Sequence, residues 1–293
     1  MFECAGCLHL AQGYETVDEV RTAKSVTFTN SGPKIHDKER KWAQEMVDLV
    51  GSLAGKRNAT LGLERMNANV VITLEELGLN IVDAQYVIEI SRTIKSPDEV
   101  KCIVPSLRAT EAAVGELRDA VSPGLTENQL WSVMHKSVIE QNEDYIKTRL
   151  LSAGPRTNPW FRGSAGYVIQ KNDLAVLDTD VVNHNMSILR PGLTFREYAD
   201  CAWDIPVQCW ANRYFVSAHG CGLTGECPYL YDRGDFSDAG YDGVIEPGMV
   251  FCVESYIGEE GGTLGVKLEQ QVLITGTAVH ILAKFLFEDS MLQ

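Results

Sequence analysis

The sequence predicts an α+β protein in two parts, an α/β segment over residues 1–92 and a larger region over residues 93–293. Three observations carry that expectation. A helix–turn–helix unit built on the tetrapeptide PGLT occurs twice, at residues 123–126 and 191–194. A strong helix start, Ser96-Pro97-Asp98-Glu99, opens the larger region. Later segments alternate or run apolar as strands do, yet carry carboxylates in their middle.

Within the first part, Trp42, Met46, Leu49, Val50 and Leu53 fall on one face of a helix over residues 37–54. Residues 59–64 read as a short strand, 70–78 as a helix, and 81–90 as a strand followed by a helical turn. In the second part, Ser96 caps a helix, Pro97 fits its first position and Glu99 completes a capping box. That helix runs to about Val121 with Val100, Val104, Leu107, Val114 and Leu117 broadly on one side, and Pro105 predicts a kink. Each PGLT is a turn whose Thr is followed three residues on by Gln129 or Glu197, so each feeds a capped helix. Two copies of one supersecondary unit point to pseudo-twofold symmetry inside one domain.

Composition narrows the function classes. The net charge is −14 and no Lys/Arg-rich run occurs, which speaks against nucleic acid and anionic membrane as partners. No run of 18 or more apolar residues is present to span a bilayer. The N-terminal MFECAGCLHL lacks the basic and apolar regions of a secretory signal and has no clear first element, as in a chain beginning inside a larger domain. Cys4 and Cys7 form a lone CxxC without the further ligands of a zinc site. The other cysteines sit singly in apolar segments, which leads to the expectation of a cytoplasmic protein.

The chemistry is concentrated in the acidic strands. Asp178 and Asp180 lie in the apolar run 174–182, and residues i and i+2 of a strand point to one face. Two carboxylates side by side in a buried strand repel and desolvate at a cost of several kcal/mol, which a cation removes. Glu254 sits in the apolar run 250–256 after a Pro-Gly turn. In residues 265–274, Lys267, Glu269 and Gln271 share one face opposite Val266 and Leu268. His219 lies in a loop against Gly220 and near Gly222, where glycine permits close backbone approach. This mostly oxygen donor set suits two divalent metal ions such as Fe, Mn, Co or Zn.

The order Asp, His, Glu, Glu on separate segments, with a Pro-Gly turn before the first Glu, resembles the pita-bread (creatinase/methionine aminopeptidase-like) superfamily over roughly residues 96–293. That resemblance implies a pseudo-twofold antiparallel sheet covered by helices, with residues 1–92 as part of a creatinase-type N-terminal domain, and a homodimer. The segment 151–161, the Asp178-Thr179-Asp180 pair and the stretch from His219 to Tyr229 are similar to the metal-dependent dimethylsulfoniopropionate (DMSP) lyase branch. So are the spacings of 35 residues from His219 to Glu254 and 15 from Glu254 to Glu269. The resemblance implies Asp178, Asp180, His219, Glu254 and Glu269 as metal ligands and Tyr214 as a substrate contact.

Two departures stand out. The superfamily carries a further Asp on a return strand, and here no Asp occurs between Asp180 and Asp200. A hairpin, a return strand and part of a helix need roughly 30 residues that are absent after Val182, so an internal deletion is expected there. The lyase branch also implies an acidic residue shortly after the histidine. By spacing that position is Gly225, and the adjacent Glu226 becomes the expected catalytic base. Three readings follow: a lyase releasing dimethyl sulfide and acrylate by β-elimination; an Xaa-Pro aminopeptidase or prolidase-like hydrolase of short peptides; or a remnant without activity that lacks one metal ligand.

Overall fold

In the computed structural model, which describes residues 1–3, 6–144, 146–178 and 183–285, the apolar period of residues 37–54 forms α1 (Ile35–Ala54). Its buried apolar residues are Ala43, Met46 and Val47, which pack with Val70 and Leu74 of α2 (Ala68–Glu76) and with Ala59 and Leu79. The buried stripe stops short of Leu53, which is 79% exposed. Two short strands, β1 (Thr60–Leu63) and β2 (Asn80–Asp83), pair in parallel beside this core. Helix α3 (Gln85–Thr93) follows. The chain divides into two compact units, residues 1–88 and 89–293. Cys4, the first residue of the CxxC, lies outside the described residues.

The second unit opens with α4 (Pro97–Ala120), whose capping box is formed in both directions. The Glu99 N–H donates to Ser96 Oγ at 3.2 Å, and the Ser96 N–H donates to Glu99 Oε2 at 2.8 Å. A cap of this kind contributes about 1 kcal/mol. The helix continues through Pro105 as one element.

The PGLT repeat is a repeat of hydrogen bonds as well as letters. The turn at 123–126 leads into α5 (Glu127–Glu140), capped by Thr126 with Gln129. Helix α6 (Asn183–Ile188) precedes the second turn, which leads into α7 (Phe195–Cys201), capped by Thr194 with Glu197. The Gly124 N–H donates to the Ile169 carbonyl at 2.9 Å, and the Gly192 N–H donates to the Ile245 carbonyl at 2.8 Å. Ile169 and Ile245 return the bond, to Leu125 and Leu193, each at 2.8 Å. Gly124 and Gly192 hold φ of +96° and +84°, which L side chains rarely adopt. Each half has its own core, one around Leu130, Trp131 and Leu151, the other around Tyr198, Ile245 and Phe251.

Strands β3 (Leu151–Ala153) and β4 (Ala175–Leu177) pair antiparallel in the first half. The second half carries β5 (Val216–Cys221), β6 (Gly225–Tyr231), β7 (Val250–Gly258), β8 (Gly265–Ile274) and β9 (Val279–Ile281). They form one antiparallel sheet in the order β9–β8–β7–β5–β6. His219, expected in a loop, is therefore inside strand β5. Buried Val216 and Ala218 anchor that strand, and Gly220 lets β6 approach so closely that a Cβ there would collide with the Cys227 and Glu226 carbonyls. Asp180 and the position of the expected deletion, residues 179–182, lie outside the described residues.

Candidate metal centre

Register brings the site together. On β7, Cys252 and Glu254 are two apart and share a face; on β8, Lys267, Glu269 and Gln271 do the same. Across the ladder, Glu254 lies opposite Glu269, Cys252 opposite Gln271, and Tyr256 opposite Lys267. Across the other edge of β7, His219 lies opposite Cys252. On β6, Tyr229 lies opposite His219, their rings 5.7 Å apart. Part of β8 reverses ordinary amphipathicity: Lys267 is 4% exposed, whereas Val266 and Leu268 are 39% and 41% exposed. A strand that buries its charged face places those charges for a purpose other than solubility.

Asp178 reaches this face from the end of β4, where its N–H donates to the Leu150 carbonyl at 3.1 Å. Carboxylate oxygens of Asp178, Glu254 and Glu269 all lie within 4.8 Å of one another. The Lys267 ammonium sits among them, hydrogen-bonded to Asp178 and, at 2.8 Å, to Glu269 Oε2, and 2.5 Å from Glu254 Oε2. Burial and the neighbouring Glu269 charge push the Asp178 carboxyl up to about 7. The same two causes push Glu254 up to about 8. Burial also opposes ionisation of Glu269, but the Lys267 charge and hydrogen bonds from Asp178 and Lys267 outweigh it and hold that carboxyl at about 2. The carboxylates likewise outweigh burial at Lys267 and keep its ammonium protonated. One ammonium is too little positive charge for three buried carboxylates, and the cluster relieves the excess by retaining protons.

His219 shows what is wanting. Its Nδ1 is 2.8 Å from the Gly220 carbonyl, an acceptor only, so Nδ1 carries the proton and donates it. In the neutral ring Nε2 then presents a lone pair, and it faces Glu254 Oε1 at 3.5 Å. Glu254 Oε1 is buried and has no hydrogen-bond partner among the described residues. The separation is too long for a charge-assisted hydrogen bond, and once Glu254 gives up its proton the two atoms present lone pairs to each other and fit a cation between them. His219, Cys252 and Glu269 also place ligand atoms within 4.8 Å of one another. The residues present therefore fit a divalent metal.

The remaining expected residues fall differently. The Tyr214 ring lies at the centre, 5.6 Å from Lys267 Nζ, and Trp160 flanks the same ammonium at 5.6 Å. The Glu226 carboxylate belongs to neither group of candidate ligands among the described residues. It is bound by Arg92 and, at 2.6 Å, by Lys95 Nζ, and it accepts the Leu223 N–H at 3.2 Å. Gly225, where the lyase pattern expects an acid, is next to the imidazole: a Cβ there would stand 3.3 Å from the His219 ring. A cavity of about 200 Å³ opens beside Asp178, Glu269 and Gln271, and is closed on another side by Leu107 and Gly222. Sequence reasoning missed Cys252 and the role of Lys267. The signal was there, since each lies two residues before a candidate Glu on the same face of its strand. Nothing in the sequence marked Arg92 and Lys95 as partners of Glu226, more than 130 residues away.

Comparison with known proteins gives the family. The pattern of metallopeptidase family M24 matches residues 179–276. The DMSP lyase DddP of Roseobacter denitrificans is 30% identical, over 94% of this chain and 70% of its own length. This chain belongs to the M24 (pita-bread) metalloenzyme family. The DddP of Roseovarius nubinhibens is 29% identical over 94% of the chain and 71% of its own length. That alignment runs over 316 positions, more than the 293 residues of this chain, so the relative carries residues without a counterpart here. Among solved structures, an X-Pro aminopeptidase from Thermotoga maritima superposes with a TM-score of 0.73 at 14% identity, covering 97% of this chain and 83% of that one. Such structures share the pita-bread fold.

Proposed function

We propose that the chain is a metal-dependent lyase that cleaves DMSP into dimethyl sulfide and acrylate. The observation that carries this reading is the identity of 29–30% to two DMSP lyases over 94% of the chain. The reaction removes a proton from the carbon next to the carboxylate. That C–H electron pair becomes the new C=C bond, and the C–S pair leaves on sulfur as neutral dimethyl sulfide. Divalent metal held at the face that carries His219, Glu254 and Glu269, with Asp178 and Asp180 as further candidate ligands, would draw the substrate carboxylate and stabilise the negative charge that develops beside it.

The chain's own residues supply the rest. Tyr214 and Trp160 turn their rings to the centre, as suits a soft sulfonium cation, and Tyr229 packs beside the His219 ring. Tyr214 is the proposed substrate contact. Its hydroxyl is pushed up by burial, so it remains a donor at neutral pH. Glu226 is the proposed proton acceptor, and it acts only when one of its cations lets go. Arg92, whose side chain is 35% exposed, is the partner able to turn to the substrate carboxylate. A base so restrained implies slow turnover.

Incubating purified, metal-loaded protein with DMSP and measuring headspace dimethyl sulfide tests the reading, with a Gly-Pro dipeptide as the parallel substrate. Dimethyl sulfide without dipeptide cleavage is the expected result. Dipeptide cleavage alone would transfer the chain to the prolidase-like activities. A second reading, a fold retained without turnover, draws support from the residues that this chain lacks relative to DddP and from the carboxylates already engaged by Lys267. It predicts neither product.

A further inference from the structure

The two groups of candidate ligands share Glu269 but are not equivalent. In the group of Asp178, Glu254 and Glu269, the Lys267 ammonium already occupies the space between the carboxylates and pairs with every one of them. In the group of His219, Cys252 and Glu269, the ammonium reaches Glu269 alone, and an oxygen of Glu254 that has no hydrogen-bond partner among the described residues, on a residue 2% exposed, faces Nε2 of His219. The separation of these two atoms is 3.5 Å. Ligand atoms about 2.0–2.1 Å from a tetrahedral zinc ion stand about 3.3 Å apart, so the opening already has the width of a zinc site.

We propose that this chain holds one divalent ion in place of a pair, ligated by His219 Nε2, Cys252 Sγ and oxygens of Glu254 and Glu269, with the Lys267 ammonium standing where a second cation would be. The strand register supports the ligand set. Cys252 lies directly opposite His219 and two residues before Glu254, and Glu254 lies opposite Glu269. Nitrogen, sulfur and two oxygens supply four ligands in tetrahedral number, and an ion so held takes a substrate carboxylate only by expanding to a fifth position. A buried thiolate directs such a site toward zinc or cobalt and away from magnesium and calcium, which take oxygen ligands. Charge runs in the same direction: among the described residues, three carboxylates and a Cys252 thiolate would face one dication and one ammonium, which leaves one excess negative charge where the metal-free cluster has two among its carboxylates and ammonium. A second dication would have to displace Lys267, whose side chain is 2% exposed and whose ammonium is held by all three carboxylates.

This inference does not depend on the lyase reading, and its test reads metal, not turnover. The full chain is loaded with zinc or with cobalt, desalted, and its metal content measured by mass spectrometry, while absorbance is recorded for the cobalt form. The expected result is one ion per chain and a thiolate-to-cobalt charge-transfer band in the near ultraviolet. Cys252→Ser is expected to lose that band. Lys267→Met opens the second position and is expected to raise the content toward two. Two ions in the unaltered chain, none at all, or a band that survives Cys252→Ser would overturn the proposal. The unaltered chain decides the matter by its content and its band even where a variant fails to fold, and a chain that binds one cobalt through sulfur but releases no dimethyl sulfide fails only as a lyase.

Discussion

Replacing Lys267 by Met in the metal-free protein removes the positive charge that faces Asp178, Glu254 and Glu269. Methionine matches the length of the stem, so packing against Trp160 and Tyr214 is largely preserved and the change isolates the charge. Removing one partner of a buried ion pair costs about 3–5 kcal/mol, because it leaves charge without compensation. In a unit of this size each kcal/mol moves the melting temperature by about 2–4 °C, so a fall of about 6–20 °C is expected at pH 8 in chelator. At pH 6 the fall should be smaller. Asp178 and Glu254, pushed up to about 7 and about 8, are then largely protonated and need the ammonium less. Differential scanning fluorimetry at both pH values, with and without zinc, measures this. A melting point within 2 °C of the unaltered protein at pH 8, or a larger fall at pH 6 than at pH 8, would refute the reasoning from buried charge.

Other predictions follow from the same geometry. Asp178, Glu254 and Asp232 all have carboxyls pushed up by burial, to about 7, 8 and 7. A raised carboxyl stabilises the folded state below its unfolded value and loses that contribution as pH rises through the folded one. The metal-free protein should therefore lose stability between about pH 4 and pH 8, and denaturant titrations showing the reverse slope would contradict it. Zinc affinity should rise over the same interval as the ligands release protons, which calorimetry in two buffers of different ionisation enthalpy detects. Glu226→Gln keeps hydrogen-bonding shape but removes the proposed base, so kcat for dimethyl sulfide release should fall by about 10²–10⁴. A loss of stability with kcat intact would mean that Glu226 only holds the turn between β5 and β6. Gly225→Asp would add a carboxylate beside the His219 ring and is expected to raise dimethyl sulfide release; an unchanged rate would show that the missing acid is not what limits this chain.

Much of the centre could be read before any coordinates, because strand periodicity is a local property. Glu254 and Glu269 stand out as charges in apolar or alternating runs, and the repeat of PGLT with its caps locates two halves of one domain. The His219 segment was less legible. Two nearby glycines resemble a loop, and only pairing with β6 and β7 makes a strand of it. Lys267 was visible on the face of Glu269 but its meaning was not. A lysine on a strand is ordinarily a solvent-facing residue, and its burial depends on Asp178 arriving from another strand 89 residues earlier. The ion pairs of Glu226 with Arg92 and Lys95 were illegible for the same reason, since they join segments whose proximity is set by the whole fold.

The gap between His219 and Glu254 is the predicted metal site. Diffraction from zinc-loaded crystals at the zinc absorption edge tests that most directly. The expected result is one anomalous peak, about 2.0–2.1 Å from His219 Nε2 and about 2.3 Å from Cys252 Sγ, with Lys267 still among the carboxylates. An absent peak, or one that displaces Lys267 and leaves His219 uncoordinated, would contradict it.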